Sequence, residues 1–290
     1  MTAVLGLDIG GTATRAVLST GGRTLCDRTG GSANPAAVGW DAARANVRDV
    51  VPALPGVTVG AVCAGAAGIG DAAAARRLRG LLGDLLPWAR VLVVTDARLV
   101  LAGAGLDAGV ALVAGTGSIA FGRNAAGVEV RAGGWGHLLG DEGSGYSIVR
   151  EAVRQALRAE DAGRPPSPAH RALVAEAGAA TALELGHLLH DERDPGRWAA
   201  LAPTVLAWAD RDPDAAAIVR RGGAGLARLA ARVRERLSEP RLPVVLAGGL
   251  LLGTPALERE VRARLAGPVL RLEQPAVLGA VRLAEELLDR

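Results

Sequence analysis

Two segments of the chain repeat one alternation of apolar and small residues. "VLGLDIGGTATRAVLS" (Val4 to Ser19) and "GVALVAGTGSIAFGR" (Gly109 to Arg123) each read as strand, glycine turn, strand. This is a weak internal duplication. Between them the pattern predicts a third strand near Thr24, a helix from about Trp40, strands at "TVGAVCAGA" and "RVLVVTDA", and a helix joining these two. After the second hairpin an arginine-rich helical region runs from about Gly145 to Ser238, interrupted by "GRPPSPAH" and "DERDPGRW". A strand "PVVLAGG" and a closing helix "AVLGAVRLAEELLDR" follow. Alternating strands and helices of this kind predict an α/β protein. The expected division is a domain over 1–107 and a second over 108–290. The second carries the helical insertion around 145–238, and its final helix, 276–290, is placed to pack back on the first.

Composition narrows the class. Half of the 290 residues are apolar, enough for one large or two moderate cores. The most apolar segment is broken by Asp96, Arg98 and Asp107, so no membrane span is predicted. The chain opens on the strand-like "AVLGLDIGGT" without a secretion pattern, and a cytoplasmic location is expected. Cys26 and Cys63 form no C-x-x-C pair and read as reduced thiols. The chain has no lysine, so all 33 basic residues are arginines. That excludes a P-loop, a protein-kinase strand lysine and a Schiff base. The arginines are interspersed with acids and lack interleaved aromatics, so nucleic-acid binding is not expected.

Chemistry gathers at the glycine turns. Asp8 ends an apolar strand, where an unpaired acid is costly, and Gly10, Gly11 and Thr12 follow in a turn whose backbone N–H groups can cradle phosphate oxygens. Alone, this is equally a tight hairpin turn. A second glycine loop, Gly115, Thr116, Gly117 and Ser118, stands at the equivalent point of the second half, and the two hairpins are expected to face each other across a cleft. Gly248 and Gly249 end the late strand, where a base or ribose could approach closely. Asp96 follows "RVLVV" at the carboxyl end of a strand, where ligands of open sheets bind, although such an acid can also cap the next helix. The loop "GGWGHLLGDEGSGY" (Gly133 to Tyr146) places six glycines around a tryptophan, a histidine, two acids and the only tyrosine. Trp135 could be a packing residue, Asp141 or Glu142 could cap a following helix, and His137 reads as structural.

Taken in order, DIGGT, TDA (Thr95 to Ala97), AGTGS, GGWGHLLGDEGSGY and AGG resemble the N-acetylglucosamine kinases in the BadF/BadG/BcrA/BcrD branch of the actin-like ATPase superfold. The resemblance covers nearly the whole chain and is weakest between Gly145 and Ser238. It implies two actin-like, ribonuclease H-like domains with a central cleft and extra helices on the second. It further implies ATP and Mg2+ as cofactors and a homodimer. Gly10, Gly11, Thr12, Gly115, Thr116, Gly117, Gly248 and Gly249 would bind nucleotide, and Asp8 would hold the metal, through water. Asp96 would be the catalytic base. Asn34, Ser118, Gly134, Trp135, Gly136 and Asp141, together with Asp96, would hold the sugar; Asn34 also reads as a turn residue before Pro35. The activity implied is ATP-dependent phosphorylation of N-acetylglucosamine at its 6-hydroxyl, with glucosamine or N-acetylmuramic acid as alternative acceptors. The alternative of another class is a nucleotide-switch activase for a dehydratase, disfavoured by the lack of cysteine after Cys63. The same lack disfavours the related sugar kinases that carry a cysteine zinc motif.

Overall fold

A computed structural model of the chain describes every residue except Ala53, Ala67, Gly68, Gly70, Asp71 and Arg290. It divides into two units, Met1–Asp107 with Leu272–Arg290, and Ala108–Arg271.

In the first unit the strands are β1 (Thr2–Ile9), β2 (Ala13–Thr20), β3 (Arg23–Gly31), β4 (Thr58–Ala66) and β5 (Arg90–Thr95). They form one sheet in the order β3-β2-β1-β4-β5. β1, β2 and β3 run antiparallel in sequence, while β4 pairs parallel with β1 and β5 parallel with β4. The helices are α1 (Pro35–Val38), α2 (Trp40–Val50), α3 (Ala72–Leu85), α4 (Asp96–Gly103) and, from the end of the chain, α14 (Ala276–Leu288).

Both faces of β1 are covered, as its nearly unbroken apolar run requires. Leu5, Leu7 and Ile9 point to one side, into a core with Val47 of α2 and Leu78 and Leu82 of α3. Val4 points to the other, with Cys63, Leu99 of α4 and Val277 of α14. On this second face α14 and α4 cross closely enough that a Cβ on Gly279 would lie 2.0 Å from the Leu99 carbonyl oxygen. Arg290, the last residue of the predicted closing helix, lies outside the described residues.

The second unit repeats the same sheet. Its strands are β6 (Gly109–Ala114), β7 (Ser118–Arg123), β8 (Glu129–Gly133), β9 (Val244–Ala247) and β10 (Val269–Arg271), ordered β10-β9-β6-β7-β8. Again three antiparallel strands are followed by two parallel ones. The two glycine hairpins therefore occupy equivalent positions in their sheets.

Between β8 and β9 lie α5 (Gly136–Leu139), α6 (Gly145–Asp161), α7 (Pro168–Glu176), α8 (Ala182–Asp191), α9 (Pro195–Ala200), α10 (Ala202–Leu206) and α11 (Pro213–Arg236). The breaks before α7 and before α9 come where the sequence marks them, and those before α8 and α11 are unmarked. Ser167, Asp194 and Asp212 cap α7, α9 and α11 through their side chains, each just before a proline in the first turn. α12 (Gly249–Gly253) and α13 (Pro255–Arg262) then precede β10. The sequence pattern does not reveal β10, a three-residue edge strand whose sides are largely exposed and which therefore lacks an apolar alternation.

Candidate active site

In the first unit, register brings the carboxyl ends of three parallel strands level. Ile9 pairs with Ala66, and Ala66 with Thr95, so Asp8 is the next-to-last residue of β1 and Asp96 directly follows β5, with β4 between them. Two inter-strand steps of about 4.8 Å separate the strands by about 10 Å. Asp96 is the first residue of α4, and its Oδ1 accepts the Ala97 N–H at 2.8 Å. The Thr95 hydroxyl beside it is buried without a hydrogen-bond partner among the described residues.

Both acids are held above the ordinary carboxylate range. For Asp96 the cause is burial, opposed by backbone hydrogen bonds. Asp8 is pushed up to about 6, first by burial and then by the charge of Asp96, with Arg15 pulling the other way. Arg15 stands opposite Asp8 on β2 and is itself gripped by both carboxylate oxygens of Asp27, at 2.9 and 2.6 Å.

The Asp8 shift has a consequence for stability. A carboxyl whose folded value lies above the ordinary 3.8 stabilises the fold by binding a proton. That contribution is complete below the ordinary value and is lost as the pH rises through about 6. Asp8→Asn should therefore stabilise the ligand-free protein at pH 8 by up to about 3 kcal/mol, and change it little near pH 4. Thermal melts of both proteins across that range check this. An equal difference at both ends would contradict it.

The first glycine turn is closed by Gly10 N–H donating to the Ala13 carbonyl at 2.9 Å. Gly11 and Thr12 are exposed. A Cβ on Gly11 would meet nothing within 4 Å, nor would one on Gly115 or Gly249, and none of the three has a positive φ. The chain's own packing and backbone geometry do not require glycine at these places. Gly248 differs, since its φ is +92° and a Cβ there would sit 2.3 Å from the Ala114 carbonyl oxygen.

Asn34 is buried next to this turn. The Ser32 hydroxyl donates to the Gly10 carbonyl at 2.8 Å, and Ala33 N–H donates to the Thr14 hydroxyl at 2.8 Å, which anchors the segment to β1 and β2. The Asn34 side-chain oxygen caps α1 by accepting the Ala36 N–H at 3.0 Å. Its amide nitrogen has no partner among the described residues, so the turn role uses one end of the side chain and leaves the other available.

In the second unit Asp141 organises the loop. It is 7% exposed and adopts φ +61°, a left-handed conformation that aspartate tolerates better than most residues. Its Oδ1 accepts the Ser118 N–H at 3.1 Å, while the Ser118 hydroxyl donates to the Glu142 carbonyl at 2.8 Å. Gly117 leaves room beneath it, since a Cβ there would lie 3.0 Å from the Asp141 carboxylate and press on it. Burial raises the Asp141 pKa, while the Ser118 N–H and then His137 and Arg150 lower it. The helix-cap alternative for Asp141 or Glu142 does not hold: Ser144 is the cap of α6, accepting the Ser147 N–H.

Gly134 and Gly136 both have positive φ, at +70° and +78°. Between them Trp135 is 60% exposed, so it is not a core residue, and the Arg131 guanidinium lies 4.7 Å from its ring centroid. Thr116 is exposed, and its carbonyl accepts the Tyr146 N–H at 3.4 Å, tying the glycine hairpin to the start of α6. Sequence reading passes over Arg150, whose guanidinium donates to the His137 carbonyl at 3.1 Å and braces the loop from α6. Nothing in its local sequence distinguishes it from the other helix arginines.

The predicted residues thus fall into two sets. Asp8, Gly10, Gly11, Thr12, Asn34 and Asp96 gather on the first unit; Gly115 to Ser118, Gly134 to Gly136, Asp141, Gly248 and Gly249 belong to the second. No group of three or more metal-ligating side chains occurs among the described residues. Two half-buried acids and open glycine backbones do fit magnesium held by one or two carboxylates together with nucleotide phosphates. No helix among the described residues is long and apolar enough to cross a membrane.

Two sheets of one topology, each bearing a glycine hairpin, with acids at the strand ends, define the two-sheet class of actin-like ATPases. The chain belongs to the BadF/BadG/BcrA/BcrD ATPase family, whose model matches residues 5–281. It is 41% identical over 103 residues to an N-acetylmuramic acid/N-acetylglucosamine kinase of Clostridium acetobutylicum, covering 35% of this chain and 33% of the relative. It is 32% identical over 174 residues to an N-acetyl-D-glucosamine kinase of Dictyostelium discoideum, covering 54% of each. These matches therefore span a third and about half of the relatives' lengths. Among solved structures, a Chromobacterium violaceum protein provisionally named N-acetylglucosamine kinase superposes with a TM-score of 0.73 at 28% identity, over 99% of both chains.

Proposed function

We propose that the protein transfers the γ-phosphoryl group of ATP to the 6-hydroxyl of N-acetylglucosamine. ATP use follows from the family, and the names of the relatives support the acceptor. The observation that carries the reading is the set of glycines, Gly11, Gly115 and Gly249, that the chain's own packing does not need. Backbone left bare at the two equivalent hairpins and just after β9 suits close approach by a nucleotide.

In this reading Asp96 accepts the 6-hydroxyl proton as the sugar oxygen bonds to the γ-phosphorus and the bond to the ADP leaving group breaks. A half-buried carboxylate with a raised pKa is a better proton acceptor than a fully exposed one. Asp141, fixed by Ser118, orients the sugar hydroxyls, Trp135 offers an apolar face to the ring, and the free amide of Asn34 donates to a hydroxyl. Asp8 would hold magnesium, through water, and the ion would neutralise phosphate charge when bound. The homodimer implied by the resemblance belongs to the same proposal. Phosphorus–proton correlation spectra of the product test the position: coupling of the phosphorus to the two C6 protons is expected, and coupling to the anomeric proton alone would refute the 6-hydroxyl assignment.

A further inference from the structure

The second unit contains a basic pocket that the reaction above does not use. It has a volume of about 560 Å³ and lies between α6, α8, the segment leading into α9, and the His137–Leu138 part of the glycine loop. Arg150, Arg154 and Arg193 line it, and Tyr146 forms part of its wall. The Tyr146 ring is fixed between His137, 4.9 Å away edge-on, and Trp198, 5.0 Å away.

Charge in this pocket is not balanced. The one acid lining it, among the described residues, is Glu192, and its two oxygens already accept the Asp194 N–H at 2.9 Å and Arg197 at 3.1 Å. Arg154 and Arg193 form no hydrogen bond or ion pair among the described residues. Glu151, the nearest acid on α6, pairs instead with Arg221 at 2.6 Å. Arg150 and Arg154 stand four apart on one helix face, a like-charge spacing that weakens a helix rather than supporting it. Arg150 is explained by its bond to the His137 carbonyl. Arg154 and Arg193 receive no such explanation from the fold.

We propose that this pocket binds an anionic group, a carboxylate or phosphate carried by a compact polar molecule. Guanidinium groups suit such oxyanions because their N–H donors match two oxygens at once. Since His137 and Leu138 belong to both the pocket and the sugar-loop segment, the anion has two possible sources: a substituent on the acceptor sugar itself, or a separate small anion. The first source rests on the kinase reading; the second does not.

The test is calorimetric titration, without ATP, of N-acetylmuramic acid, N-acetylglucosamine and inorganic phosphate into the full chain and its Arg154→Ala/Arg193→Ala double variant. Both side chains are exposed and neither has been placed in the reaction, so the variant should fold. At least one anionic probe should bind the wild type in a salt-sensitive manner and bind the variant about ten-fold or more weakly, with N-acetylglucosamine unaffected. An effect confined to N-acetylmuramic acid assigns the anion to the acceptor, and an effect on phosphate assigns a separate ligand. Absence of anion binding, or equal binding by both proteins, would overturn the proposal. Variant-sensitive phosphate binding in a protein that phosphorylates no sugar would remove the kinase reading and leave the pocket intact.

Discussion

Asp96→Asn is expected to lower kcat by about a hundred-fold or more while leaving sugar and nucleotide affinity nearly unchanged. The substitution keeps the shape of the side chain, and its amide oxygen can still accept the Ala97 N–H that the carboxylate holds at 2.8 Å. What it removes is the site for the proton. General-base assistance is typically worth about a hundred- to ten-thousand-fold, and an interaction used only in the transition state appears in kcat rather than in binding. Steady-state kinetics with calorimetric titration of the sugar and of an ATP analogue separate the two effects. Normal turnover by Asp96→Asn would return this residue to the first turn of α4 as a merely structural acid.

Asp141→Ala should fail in the opposite way. Its carboxylate is poised by the Ser118 N–H at 3.1 Å and sits over Gly117, so its removal takes away a charged acceptor for the sugar together with the brace between hairpin and loop. Sugar affinity should fall by about 1.5–3 kcal/mol, roughly ten- to a hundred-fold, with nucleotide binding retained. A moderate loss of kcat is expected as well, because the acceptor is no longer held in line. Relief of the φ of +61° should not mask the effect, since alanine gains little in the left-handed region. Unchanged sugar affinity would show that Asp141 serves the loop alone.

The contrast between these acids shows what was legible in the chain. Asp96 could be placed because β5 is a short apolar run and its next residue must lie at the strand's carboxyl end. Both hairpins could be placed for a similar reason, because alternation on either side of paired glycines admits few other structures. Asp141 offered only its neighbours. Its hydrogen bond reaches across 23 residues to Ser118 and its left-handed backbone depends on the surrounding loop, both products of tertiary packing that no local pattern encodes. Asn34 illustrates the intermediate case. The turn before Pro35 was visible, whereas the division of its side chain between a capped helix and an open amide came only with the Ser32 and Thr14 anchors. The pocket arginines were invisible for the plainest reason: in a chain whose 33 basic residues are all arginines, Arg154 and Arg193 look like the rest.

ADP release, measured with Mg2+ and ATP against a panel of N-acetylated aminosugars, free aminosugars and plain hexoses, tests the central claim most directly. The account predicts sugar-dependent release with the highest specificity constant for N-acetylglucosamine. ATP hydrolysis indifferent to every sugar, or a clear preference for glucose, would contradict it.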